Sequence, residues 1–227
     1  VRWVANEGLG WSEISWSDLD ASRVDECIET QIRYYQERGQ SFVWRVYDCD
    51  QPGDLGVRLL AAGFSHAENS AVLVAESESL VESPPLAEGV EIVPVTDQSG
   101  IEELISTHEA VFGHDHDDLR RSLSARFLRA PRETEMYVAM ASGLAISAAR
   151  VEFLPDREFA ALWGGGTLPE WRGRGIYRAL VSIRAQSARA RGYRYVFVLA
   201  SDQSQPILDR LGFRSIASVS TYRWAPS

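Results

Sequence analysis

The stretch from Leu162 to Leu180, L-W-G-G-G-T-L-P-E-W-R-G-R-G-I-Y-R-A-L, constrains the fold more than any other part of the chain. An apolar strand breaks into glycines, turns at Pro169, and presents Arg172-Gly173-Arg174-Gly175 just before an amphipathic helix. Glycines admit positive φ and let backbone N–H groups approach a ligand closely. The helix start adds unpaired N–H donors and the positive end of a dipole. Together these features suit a diphosphate or similar anion. The plain alternative is a glycine-rich turn with two surface arginines.

The residues that follow sharpen the reading. Ile176, Leu180, Ile183 and Ala188 recur at helical spacing up to Ala190, and Gly192 closes that helix. Tyr195 to Leu199 reads as a buried strand. Ser204-Gln-Pro-Ile-Leu-Asp-Arg-Leu-Gly-Phe213 then gives a short helix ending in Gly-Phe. From about Val90 to Trp224 the chain resembles the GNAT superfamily, the acetyl-CoA-dependent N-acetyltransferases. That family carries R/Q-x-x-G-x-G/A between a strand and a helix, followed by strand, short helix and Gly-Phe. Arg172 and Gly175 match this pattern. Tyr177 departs from it, since Gly or Ala is usual there; its N–H can still donate, but its side chain must swing away from the phosphates.

Charge and composition narrow the function class. Every basic residue is arginine, which excludes a lysine Schiff base and a P-loop lysine. The net charge of −9 argues against a general nucleic-acid binder. It is uneven: residues 1–86 hold six arginines against fifteen acids, and the remainder is balanced. Leu168 to Arg214 holds nine arginines against Glu170, Asp202 and Asp209, which suits an anionic cofactor. The alternative is an ordinary arginine-rich helix face, with Arg184, Arg189, Arg191 and Arg194 far from the glycine loop. Cys27 and Cys49 show no metal spacing and read as reduced, packed thiols. No apolar run approaches a membrane span and no secretory leader is visible, so a cytoplasmic location is expected.

The chain divides at a linker, Glu76 to Gly89. Residues 87–227 read as strand (Val90–Val95), two helices (around Ile101–Phe112 and Leu119–Leu128), a hairpin (Met136–Met140 and Leu144–Phe153), a strand from Phe159, helix, strand, short helix and strand. This is the order a GNAT domain implies, short of one closing strand. Residues 1–86 read as a degenerate, truncated GNAT-like half. A helix from Asp20 to Arg38, a strand from Phe42 to Tyr47, a helix from Asp54 to Ala62 ending in Gly63-Phe64, and a strand from Ala71 to Ala75 mirror Gly192 onward. Chance similarity of two βα units is the alternative. The fold class is thus α+β, with a mixed, mostly antiparallel central sheet flanked by helices. Strands of the two halves are expected to join one sheet or to pack as paired half-sheets, because an uncovered edge invites aggregation.

Acetyl transfer from a thioester needs a deprotonated amine, a stabilised oxyanion and a protonated thiolate. The resemblance implies a base on the strand before the glycine loop, but Phe159 to Leu168 carries no ionisable side chain. It implies a tyrosine acid in the short helix, where Leu208 stands. The candidates left are Glu152 and Glu158, acting through water, and, for the leaving thiolate, the hydroxyls of Tyr177, Tyr193 and Ser204; solvated strand residues are the alternative for the two glutamates. For the cofactor, the resemblance implies N–H donors from Arg172, Gly173, Arg174, Gly175, Ile176 and Tyr177, and backbone pairing of Thr167 and Leu168 with the pantetheine arm. Ser201, Ser204, Pro206 and Leu208 would line the other side of the strand gap. Trp163 and Trp171 flank the glycines and read as pocket wall or core. His114-Asp115-His116 reads as a solvated loop rather than a metal site, and no metal is expected.

The expected function is therefore direct transfer of an acetyl group from acetyl-CoA to an amine on a small molecule or peptide. A homodimer is compatible with it; nucleic acid and membrane are not expected partners. A coenzyme A-binding sensor without catalysis, or an interaction protein that keeps only the fold, are the alternatives.

Overall fold

The structure is a computed structural model that describes residues 2–3, 12–80, 82, 85–113, 115–153, 155 and 157–226. His114 and residues 81, 83 and 84 of the expected linker lie outside the described residues. By contacts the chain divides into two units, 1–72 with 200–202 and 215–227, and 73–199 with 203–214.

The first unit holds β1 (Arg2–Trp3), β2 (Glu13–Ile14), α1 (Val24–Gln36), β3 (Phe42–Tyr47), α2 (Leu55–Ala61), most of β4 (Ser65–Glu76) and most of β10 (Arg214–Trp224). Its strand order is β1-β2-β3-β10-β4. β10 runs antiparallel to β3, from Val219 opposite Tyr47 to Trp224 opposite Phe42. Val24, Ile28 and Tyr35 recur on one face of α1 and are buried against Phe42, Trp44, Leu55, Leu59 and Phe64. Tyr35 stacks on Phe42 at 4.0 Å and Phe64 meets Phe42 edge-on at 5.3 Å. This aromatic cluster supplies a large apolar area from few residues. The helix expected from Asp20 starts later because Asp20 accepts from the Ser22 N–H and hydroxyl and forms a turn instead.

The second unit holds the end of β4, β5 (Val90–Pro94), α3 (Gln98–Phe112), α4 (Asp117–Arg129), β6 (Thr134–Ala141), β7 (Leu144–Phe153), β8 (Phe159–Thr167), α5 (Ile176–Ala190), β9 (Tyr195–Ala200) and α6 (Gln205–Arg210). Its strand order is β4-β9-β8-β7-β6-β5. β5 to β8 are antiparallel neighbours, whereas β8 and β9 are parallel. The strand missing beside β9 is thus supplied by Leu73 to Glu76, with Leu73 and Ala75 buried. β4 is longer than Ala71–Ala75 because its first part, Ser65 to Asn69, is exposed and polar and carries no strand periodicity. The expected linker begins with a 3-10 turn, Ser77–Leu80. Ser77 donates its N–H to the Arg194 carbonyl and its hydroxyl to the Tyr193 carbonyl.

α3 starts at Asp97, whose carboxylate accepts from the Gly100 N–H at 2.9 Å, and ends at Gly113 in the left-handed region. Ile101, Leu104 and Ile105 bury against Leu123, Met136, Val138 and Ala148. Among the described residues no helix is long and apolar enough to cross a membrane.

The run α1–β3–α2–β4 is matched by α5–β9–α6–β10 in element order and in the backbone hydrogen bonds that close its helices. After α1, Gly39 donates to Gln36 and Gln40 to Tyr35; after α5, Gly192 donates to Arg189 and Tyr193 to Ala188. After α2, Gly63 donates to Leu60 and Phe64 to Leu59; after α6, Gly212 donates to Asp209 and Phe213 to Leu208. Leu59 of α2 and Phe64 after it are buried, as are Leu208 of α6 and Phe213 after it.

Candidate active site

The glycines of β8 create an irregularity that the sequence does not spell out. Ala148 faces Gly166 and Arg150 faces Trp163, so Gly164 and Gly165 together oppose Ala149 in a β-bulge. Gly164 has φ +60, where a side chain is strained. Both faces are crowded. A Cβ on Gly164 would lie 2.6 Å from the His108 ring, and one on Gly166 would lie 2.8 Å from Val111 of α3. A Cβ on Gly165 would lie 2.9 Å from the Tyr177 ring and 3.4 Å from Arg184 of α5. The three glycines let two helices close on one strand.

Beside the bulge the sheet opens. The β8–β9 register runs from Phe159↔Tyr195 to Ala161↔Phe197 and ends there, while both strands continue. Past β8, Arg172 donates from Nε to the Thr167 carbonyl at 3.0 Å, and the Arg174 guanidinium lies 4.6 Å over the Trp171 ring. Gly173 and Gly175 both have positive φ, and Gly175 caps α5 without a side-chain hydrogen bond. α5 has no acidic residue in its first turn, so nothing there neutralises its N-terminal donors.

The other expected site residues fall as follows. Thr167 is buried, its hydroxyl 2.8 Å from that of Ser147, which donates to the Gly166 carbonyl at 2.6 Å. The Leu168 N–H is engaged by the Ile146 carbonyl at 2.9 Å. Ile176 is buried. Tyr177 turns its ring onto Gly165, and the Ser204 side chain hydrogen-bonds its hydroxyl. Burial raises the Tyr177 pKa, which keeps the phenol protonated. Pro206 is exposed on α6, whereas Leu208 is buried at 1% exposure, in the core. Ser201 is exposed and groups with the first unit.

The two expected bases are placed differently. Glu152 Oε1 accepts from Arg126 at 2.9 Å and from Arg150 at 3.1 Å. Glu158 is exposed at the start of β8, and its carbonyl accepts from Tyr195. At about 3.3 Å per residue it lies roughly 30 Å of strand from Thr167. Asp115 is exposed, and Glu109, Asp115 and Asp117 come within 4.8 Å of one another. Arg120 pairs with Glu109 and Asp117 and supplies the countercharge.

Three residues at the bulge escape a sequence reading. His108 is 1% exposed, and its Nε2 lies 2.6 Å from the Gly164 carbonyl. Burial, with the Arg150 charge beside it, pushes its pKa down to about 3, so the ring is neutral and Nε2–H donates. Arg184 is 1% exposed and donates to the carbonyls of Leu180, Arg150 and Trp163. Burial lowers its pKa to about 10. One turn of α5 brings Leu180 into the core, and Arg184 follows on the same face, so its guanidinium reaches Gly165 of β8. Arg150 is half-buried and its pKa is lowered by desolvation, with Glu152 opposing that shift. In sequence, His108 is one polar residue on the apolar stripe of α3, which is a weak signal.

The sequence model of the Acetyltransferase (GNAT) family matches residues 100–213. Among solved structures, a GCN5-related N-acetyltransferase from Kribbella flavida aligns at 17% identity and TM-score 0.76, covering 100% of this chain and 90% of that one. One from Sphaerobacter thermophilus aligns at 18% identity and TM-score 0.64, covering 99% and 76%. A tandem GNAT protein from the clavulanic acid biosynthesis pathway aligns at 14% identity and TM-score 0.62, covering 89% and 69%. At these identities the likeness shows the fold alone. No match was found among functionally curated proteins. The family match spans half of the chain and includes the strand, the glycine loop, α5 and α6, and on that ground the chain belongs to the GNAT acetyltransferase family.

Proposed function

We propose that the second unit binds acetyl-CoA and transfers its acetyl group directly to an amine. The observation that carries this reading is the uncapped, acid-free N-terminus of α5, entered through two left-handed glycines beside a strand pair that stops pairing after Ala161 and Phe197. The backbone N–H groups of Gly173 to Tyr177 would hold the diphosphate. Arg172, tied to the Thr167 carbonyl, would fix the loop rather than bind the anion through Nε. Thr167 and Ser204 would border the pantetheine arm. The amine forms a C–N bond to the acetyl carbonyl, the C–S bond breaks, and the leaving thiolate takes a proton from Tyr177. The proton released by the nitrogen returns through water to the Tyr177 phenolate, which restores the phenol.

Residues 1–86 serve as a degenerate companion of the GNAT domain at 87–227. The matched hydrogen bonds after α1 and α5, and after α2 and α6, support that descent. Calorimetric titration with acetyl-CoA, followed by thiol release on a panel of amines, tests the proposal. Thiol release above the buffer rate is expected with at least one amine. A second reading is favoured by Glu152, whose carboxylate is committed to Arg126 and Arg150: a coenzyme A-binding protein without catalysis. It predicts binding with no thiol release.

A further inference from the structure

We infer that His108 is a positioning residue for acyl transfer: from α3 it locks the Gly164–Gly165 peptide in the orientation that presents the Gly165 N–H to the thioester carbonyl. This rests on the acetyl-CoA reading above and goes beyond it, because it assigns a role to a residue remote from the glycine loop. The bulge leaves Gly164 and Gly165 without ladder partners on β7. Two consecutive carbonyls there are held by buried side chains instead. The Trp163 carbonyl accepts from Arg184 of α5, and the Gly164 carbonyl accepts from His108 of α3 at 2.6 Å. In a trans peptide the C=O and N–H point in opposite directions. Fixing the Gly164 oxygen on His108 therefore directs the Gly165 N–H away from α3. Gly165 itself carries the Tyr177 ring on its α5 side.

A lock is needed here for a physical reason. A Gly–Gly peptide has no Cβ on either flank, so its plane flips more easily than any other. A flipped plane would turn the N–H into α3 and the carbonyl toward the thioester, where it would repel developing negative charge. His108 is suited to prevent this because it is buried and neutral, and Arg150 beside it disfavours a second ring proton. Arg150 is itself fixed by Glu152, and Glu152 by Arg126. The committed glutamate thus has a use: it holds the cation that, added to burial, disfavours a second proton on His108.

The test compares the full-length parent with His108→Gln, which keeps a donor near the same point, and His108→Leu, which removes it. Affinities for coenzyme A and for acetyl-CoA are measured side by side, and the carbonyl stretch of carbonyl-labelled acetyl-CoA is read by difference infrared. In the parent and His108→Gln the bound carbonyl should shift to lower frequency than in solution. In His108→Leu that shift should vanish, and acetyl-CoA should bind about five- to tenfold more weakly while coenzyme A is unaffected. An unchanged carbonyl shift in a folded His108→Leu overturns the inference and leaves the cofactor reading standing. If the parent binds neither compound, the cofactor reading fails instead. Should His108→Leu not fold, amide NMR of the parent decides. The Gly165 N–H resonance must move with acetyl-CoA beyond its response to coenzyme A, and equal responses overturn the inference.

Discussion

The chain builds the run helix, strand, short helix, strand twice, and the two helices that open these runs begin differently. α1 follows Arg23 and places Asp25 and Glu26 in its first turn, where their charges meet the helix dipole; Asp25 also pairs with Arg58 of α2. α5 follows a left-handed glycine, has no acid in its first turn, and is preceded by Arg172 and Arg174. One helix carries acids that offset the charge of its own N-terminus; the other carries none. The hydrogen bonds at the far ends of the two helices are the same, whereas the first turns and the residues just ahead of them differ.

A pair of glycine substitutions should separate the runs most strongly. Gly39 and Gly164 share φ +60, but a Cβ meets nothing within 4 Å at Gly39 and meets the His108 ring at 2.6 Å at Gly164. Gly39→Ala should cost about 1 kcal/mol from the left-handed backbone alone. Gly164→Ala should cost about 3 kcal/mol, because overpacking adds to it. Equal shifts of the two denaturation midpoints would mean that the bulge can relax and is not held between its helices.

The next effect is acid sensitivity, which the comparison assigns to the second unit through His108. The unfolded chain protonates this ring near pH 6.5, while the folded chain resists until about 3. The unfolded state therefore binds more protons between these values, and stability falls as pH falls. His108 stability is fully present above pH 6.5 and is lost on the order of 1 kcal/mol per unit below it. His108→Gln should flatten the slope of unfolding free energy between pH 6.5 and 5. A parent and variant with the same slope would show that the ring is not held neutral.

Cofactor affinity probes the helix starts directly. Gly175→Val should weaken acetyl-CoA binding by about 2 kcal/mol, or roughly thirtyfold. Arg23→Val, at the matching position ahead of α1, should leave it unchanged. Calorimetry that finds both variants altered, or neither, breaks the comparison. The smallest effect is expected from Arg178→Glu, which gives α5, at an exposed position, a first-turn acid like those of α1. Affinity should fall about threefold at low salt and recover as salt is added. A loss that does not respond to salt would point to a steric cause.

Much of this arrangement could be read before any coordinates. β3 and α5 have the expected limits because their apolar periodicity is unbroken and glycines bound them. The Gly-Phe ends of both short helices are equally legible, since Gly63 and Gly212 close them with the same bonds. Other elements were hidden for physical reasons. The first part of β4 is exposed and polar, so nothing in its pattern marks a strand. Leu208 looks like a pocket residue by its place before Gly212-Phe213, yet it is buried, because α6 is a single short turn with only one face to give to the core.

What the sequence determined alone is local. It set a glycine loop ahead of a helix without acids, a triplet of glycines in a strand, and two copies of one secondary-structure run, because turns, caps and periodicity depend on residues a few positions apart. What only the tertiary structure decided is which partners meet at that strand. His108 lies 56 positions before Gly164, and Arg184 lies 34 after Arg150. A histidine on an apolar stripe and an arginine on a helix face look ordinary in sequence. They become buried donors to the bulge because α3 and α5 pack on opposite sides of glycines too small to keep either helix away, and a carbonyl left unpaired there has no water to turn to.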